Sequence, residues 1–118
     1  MSVFFRRRGE PPATTITVTI TGSGDSSKCY AIINGTKQYS AGAHEVNAGD
    51  TITFGVYGKN YTYYGSVTID GTQVLEVTSS STETYDWTVP SVVSTIEIAM
   101  VYFNESNTRY GRITVTTA

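Results

Sequence analysis

Residues 14–21 read Thr-Thr-Ile-Thr-Val-Thr-Ile-Thr, an unbroken alternation of polar and β-branched apolar side chains. Successive side chains of a strand point to opposite faces, whereas a helix would scatter Ile16, Val18 and Ile20 around its circumference. The stretch is therefore predicted to be a strand with those three residues inward. The same period returns in residues 51–57 with Ile52, Phe54 and Val56 inward, in 84–89 with Tyr85, Trp87 and Val89, in 94–102 with Ile96, Ile98, Met100 and Tyr102, and in 109–116 with Ile113 and Val115. No helical period competes anywhere in the chain.

Turn chemistry separates these runs. Asn34-Gly35 and Asp70-Gly71 are the dipeptides of two-residue hairpins, because both positions of such a turn need positive φ. Residues 22–27, Gly-Ser-Gly-Asp-Ser-Ser, form another turn cluster, and Lys28 to Ile33 follows as a strand with Cys29 in its apolar run. Residues 36–48 are less regular and are predicted to be two short edge segments around Ala41-Gly42, anchored by Tyr39 and Val46. Residues 66–69 and 72–78 make the arms of the second hairpin. At 118 residues the chain suits one domain, and the expectation is an all-β, antiparallel sandwich of seven to nine strands with Trp87 at the bulky centre.

The first twelve residues, Met-Ser-Val-Phe-Phe-Arg-Arg-Arg-Gly-Glu-Pro-Pro, have a different character. Residues 1–13 are predicted to be an extended arm, with the sandwich occupying 14–118; Pro11-Pro12 favours extended backbone and marks the joint. Of the eight Lys and Arg and ten Asp and Glu, three arginines and one glutamate lie in residues 1–12, leaving the remainder at −4. A basic arm thus leads into an acidic body. Leaving Phe4 and Phe5 in water costs about 1.5–3 kcal/mol each relative to burial, so Val3, Phe4 and Phe5 are expected to dock on a protein partner, with Arg6, Arg7 and Arg8 in support. Three charges on an acidic body do not suit nucleic-acid binding.

Several function classes find no footing in these residues. Cys29 reads as a buried thiol, and His44 as an exposed loop residue; neither has a local nucleophile–base partner. The aspartates are dispersed without metal-ligand spacing and Gly22-Ser23-Gly24 lacks the rest of a phosphate loop, so no enzyme, metal or cofactor is expected. No stretch reaches the 18–20 apolar residues of a membrane helix, and the opening does not read as an export signal. A second binding candidate is the tyrosine-rich segment containing Tyr57, Tyr61, Tyr63 and Tyr64, since tyrosine combines large contact area with a polar tip suited to glycan recognition. Free sheet edges add an expectation of self-association.

The runs VNAGDTITFGVYG, SVTIDGTQV and YDWTVP resemble bacterial and bacteriophage immunoglobulin-like modules, over most of residues 14–117. The opening MSVFFRRRGEPP is similar to the starts of small proteins encoded among prophage virion genes. Together these resemblances imply a non-enzymatic virion structural protein, a decoration or accessory component. It would be held to a capsid or tail protein by residues 3–8 and would display an immunoglobulin-like domain. The alternative is a host-surface glycan-binding module using the tyrosine segment.

Overall fold

The computed structural model describes residues 15–91, 95–103 and 109–117, the last stretch as backbone. Ten strands follow in order: β1 (Thr15–Ser23), β2 (Cys29–Ile33), β3 (Thr36–Gln38), β4 (Ser40–Asn47), β5 (Thr51–Gly58), β6 (Tyr64–Ile69), β7 (Thr72–Val77), β8 (Ser81–Thr88), β9 (Ile96–Phe103) and β10 (Arg109–Thr117). They form a six-stranded sheet, β4-β1-β10-β9-β6-β7, and a four-stranded sheet, β3-β2-β5-β8. Every pairing is antiparallel.

Alternation decides what fills the space between the sheets. Ile16, Val18 and Ile20 of β1 are buried, as are Ile52, Phe54 and Val56 of β5 and Ile98 and Met100 of β9. Cys29, Ala31 and Ile33 complete the inner face of β2, and Val46, Val67, Val77 and Val89 join the same cluster. On β10 the register sets Ile113 opposite Met100 and Val115 opposite Ile98. Phe54 is the largest fully buried side chain. Trp87, expected at the centre, is only half-buried; it lies 6.1 Å from the Phe54 ring, on a sheet-edge strand with core on one side only.

Both hairpin dipeptides adopt the conformations that their chemistry favours: Asn34 and Gly35 have φ of 53° and 81°, and Asp70 and Gly71 have φ of 48° and 82°. The second turn is also pinned to β9, because the Glu97 N–H donates to Asp70 Oδ1 at 2.9 Å and the Asp70 N–H donates to the Glu97 carbonyl at 2.7 Å. The strand count exceeds the expected range because both edge segments of residues 36–48 are strands. They divide at Tyr39, and Ala41-Gly42 lies inside β4, near its start. The Tyr39 side chain is 43% exposed and is not a core anchor, although its carbonyl accepts the Gly24 N–H at 2.7 Å, while Val46 is buried. His44 lies half-buried on β4 instead of in a loop.

Tyr30 faces outward from β2 by register yet is buried, because its ring lies across Gly55 of β5. Lys37 Nζ sits 4.3 Å above that ring and covers it from the solvent side.

Candidate functional site

The tyrosine-rich segment lies where the chain leaves β5 in one sheet and enters β6 in the other. Two glycines make the crossing close enough. A Cβ at Gly58 would stand 2.5 Å from the Val77 carbonyl carbon, and one at Gly65 would stand 2.5 Å from the Tyr57 carbonyl oxygen. Between them Asn60 organises the loop: its Oδ1 accepts the N–H groups of Thr62 and Tyr63 at 2.8 and 2.9 Å. The N–H groups of Lys59 and Asn60 in turn donate to the Tyr63 carbonyl. This is an Asx turn, in which the side chain does the work of a backbone acceptor.

The four tyrosines do not share one surface. Tyr57 packs against Tyr102 of β9 with ring centroids 5.8 Å apart, and Lys28 Nζ lies 4.7 Å from the Tyr57 ring and 5.7 Å from Tyr102. Tyr64 stacks at 5.2 Å on its cross-strand partner Phe103. Tyr63 is half-buried with Lys59 Nζ 5.8 Å from its ring. Tyr61 alone projects, 82% exposed at the loop tip. Aromatic pairs and cation–ring contacts of this kind each contribute about 0.5–1.5 kcal/mol, so Tyr57 and Tyr64 close the end of the sandwich. Burial raises the Tyr102 hydroxyl above its ordinary value, and Tyr57 beside it adds to the shift.

Lys28, Tyr102 and Phe103 belong to this end of the molecule, and sequence patterning did not bring them to it. The signal for the last two was the aromatic pair closing a strand, since adjacent residues there face opposite sides. Phe103 accordingly meets Tyr64 on one face while Tyr102 meets Tyr57 on the other.

At the opposite end of β5 a cleft of about 240 Å³ is lined by Asn34, Gly35, Val46, Asp50, Thr51 and Ile52. Its polar groups serve the turns around it: Asp50 Oδ2 accepts the Asn47 N–H at 2.9 Å and Asn34 Nδ2 donates to the Glu45 carbonyl at 3.1 Å. Among the described residues no three His, Cys, Asp or Glu side chains gather as metal ligands. No helix there is long and apolar enough to cross a membrane. Cys29 is fully buried.

No protein-family model, curated protein or solved structure matches this chain. The docking residues predicted from sequence, Val3, Phe4, Phe5, Arg6, Arg7 and Arg8, lie outside the described residues. Of the four tyrosines of the segment, Tyr61 is the one that projects to a ligand, beside the lysine-flanked Tyr63.

Proposed function

We propose that this protein is a non-enzymatic accessory component of a bacteriophage virion, anchored by residues 3–8 and displaying an immunoglobulin-like sandwich as decoration. The observation that carries the reading is the abrupt division of the chain. An apolar and arginine-rich peptide ends at a diproline, and the body that follows has a continuous two-sheet core of its own. Phe4 and Phe5 gain by burial against a partner. The resemblance of the opening peptide and of the β-segments to phage-encoded modules supplies the virion setting. Attachment through a short peptide suits a high-copy particle, where many weak contacts act together.

The test is incorporation into particles assembled from the virion proteins encoded beside it. The full chain should co-sediment with the particles, and a variant starting at Ala13 should fold with the same unfolding midpoint yet remain in the supernatant. Equal incorporation of the two would overturn the anchor.

The exposure of Tyr61 favours a second reading, glycan binding at the loop tip with Tyr63 at its side. Tyr57 and Tyr64 contribute to it by holding the loop, since their rings are taken up by Tyr102 and Phe103. Binding in a broad glycan array that disappears in Tyr61→Ala would support it, and a blank array would remove it.

A further inference from the structure

Among the described residues the sheets end in four edge strands, β3, β4, β7 and β8. Natural edges are blunted by shortness, bulges, proline or lysine. β3 has only three residues, and the pairings of β4 and β7 are broken by register shifts. β8 differs. It pairs with β5 without interruption from Thr51↔Thr88 to Gly58↔Ser81 and contains neither proline nor lysine, its only charges being the carboxylates of Glu83 and Asp86, which oppose addition of any strand but a basic one.

The surroundings of that edge have a definite chemistry. Tyr85 and Trp87 of β8 and Val74 and Leu75 of β7 are half-buried against the core. Residues 72–88 carry Glu76, Glu83 and Asp86, all exposed, and no Lys, Arg or His. Asp86 Oδ1 accepts the Thr53 hydroxyl and Glu83 Oε2 the Ser81 hydroxyl, both neutral donors. An open strand edge, apolar and acidic, matches one segment of the chain: residues 3–8, apolar and basic.

We propose that the β7–β8 side of one copy receives residues 3–8 of a neighbouring copy, added as a strand beside β8. The inference rests on the docking-arm reading above and names the arm's partner as a second copy of this chain. Six residues, 9–14, tether the docking segment to Thr15, a span of about 20 Å at roughly 3.3 Å per residue. β1, where the arm joins the body, is four strand spacings from β7, about 19 Å. Its own β8 is in the facing sheet, about 10 Å further, which leaves that tether no slack, whereas a neighbouring copy can bring its β8 within reach. Antiparallel addition with Phe5 opposite Tyr85 sets Val3 opposite Trp87 and Arg7 opposite Glu83 on one face. Arg6, on the other face, falls diagonal to Asp86. The contact is head-to-tail, so successive copies close a ring or continue as a row, as a surface layer requires.

Sedimentation velocity of the full chain over a concentration series tests this. Association is expected to grow with concentration. Phe5→Asp should weaken it roughly tenfold to a hundredfold, and Arg7→Glu or Glu83→Arg by about threefold to tenfold. The Arg7→Glu/Glu83→Arg pair should recover most of the loss. Unchanged unfolding midpoints are the folding control, since Glu83 is exposed. A monomer at every concentration would overturn the proposal, and so would association indifferent to these substitutions. So would a monomer whose β8 amides exchange slowly only when residues 1–12 are present, because the arm would then serve its own chain. If the chain is monomeric but deleting the arm still prevents particle incorporation, this inference falls and the docking arm stands. If incorporation survives deletion, the docking arm itself falls.

Discussion

Replacing Gly58 by alanine probes the crossing that carries the chain from one sheet to the other. The new Cβ would lie 2.5 Å from the Val77 carbonyl carbon and 2.8 Å from Val77 Cγ1, and would press on the Val77 carbonyl oxygen. Comfortable carbon contacts need about 3.5 Å or more, so the β7 backbone would have to retreat by about 1 Å. Val77 is buried and paired with Gly65 of β6, which leaves β7 little freedom to do so. Overpacking of this kind costs about 1–3 kcal/mol, and removing a strand glycine returns about 0.5–1 kcal/mol. With the clash against backbone the cost lies at the upper end, and a net loss of about 2 kcal/mol at a urea slope of about 1.5 kcal/mol/M lowers the midpoint by somewhat more than about 1 M. Trp87 fluorescence and circular dichroism in urea would measure it. Gly42→Ala is the matched control, because its Cβ meets nothing nearer than His44 Nε2 at 3.7 Å and Gly42 is exposed. Coincident midpoints for the two variants would refute the tight crossing.

Phe54→Ala removes the largest fully buried side chain and should cost about 3–5 kcal/mol, read as a loss or collapse of the cooperative urea transition; Phe54→Leu should retain the transition at a lower midpoint. Because Tyr102 holds its proton above the ordinary value when folded, the unfolded chain releases that proton first as the pH climbs past about 10. Its contribution is therefore complete below that pH and is lost as pH rises through the folded value, with a slope of at most about 1.4 kcal/mol per pH unit. Urea midpoints from pH 8 to 11 should fall less steeply in Tyr102→Phe than in the parent, and identical slopes would count against the burial argument. Cys29, fully buried, should react with Ellman's reagent only at denaturant concentrations that unfold the chain, whereas rapid native labelling would contradict its placement in the core.

Where one face of a strand is apolar, sequence alone located it: β1 and β5 carry their buried apolar side chains at the alternate positions the pattern demands, while in β9 Ile98, Met100 and Tyr102 do so but Ile96 is half-buried and Val101, out of phase, is buried as well. The two hairpin turns were equally legible, since few residues other than Asn, Asp and Gly accept positive φ. Edges were harder. Ala41 and Gly42 look like a break because small residues carry no periodic signal, yet an edge strand accommodates them while the chain divides at Tyr39. Trp87 sits in the right phase and still stays half-exposed, because phase gives a face and not a depth. Tyr30 is the converse, an outward residue buried by the space that Gly55 leaves on the neighbouring strand. The tyrosine segment was found as a cluster but its division was not. Whether Tyr57 and Tyr64 are free depends on Tyr102, Phe103 and Lys28, which only the sheet pairing brings near.

Residues 1–12 are proposed to attach a body that folds without them. Particle co-sedimentation of the full chain and of the variant starting at Ala13, each first shown to have the same unfolding midpoint, tests both halves at once. The expected result is equal midpoints, with only the full chain in the pellet. Equal amounts of both in the pellet, or an Ala13 variant that does not fold, would contradict it.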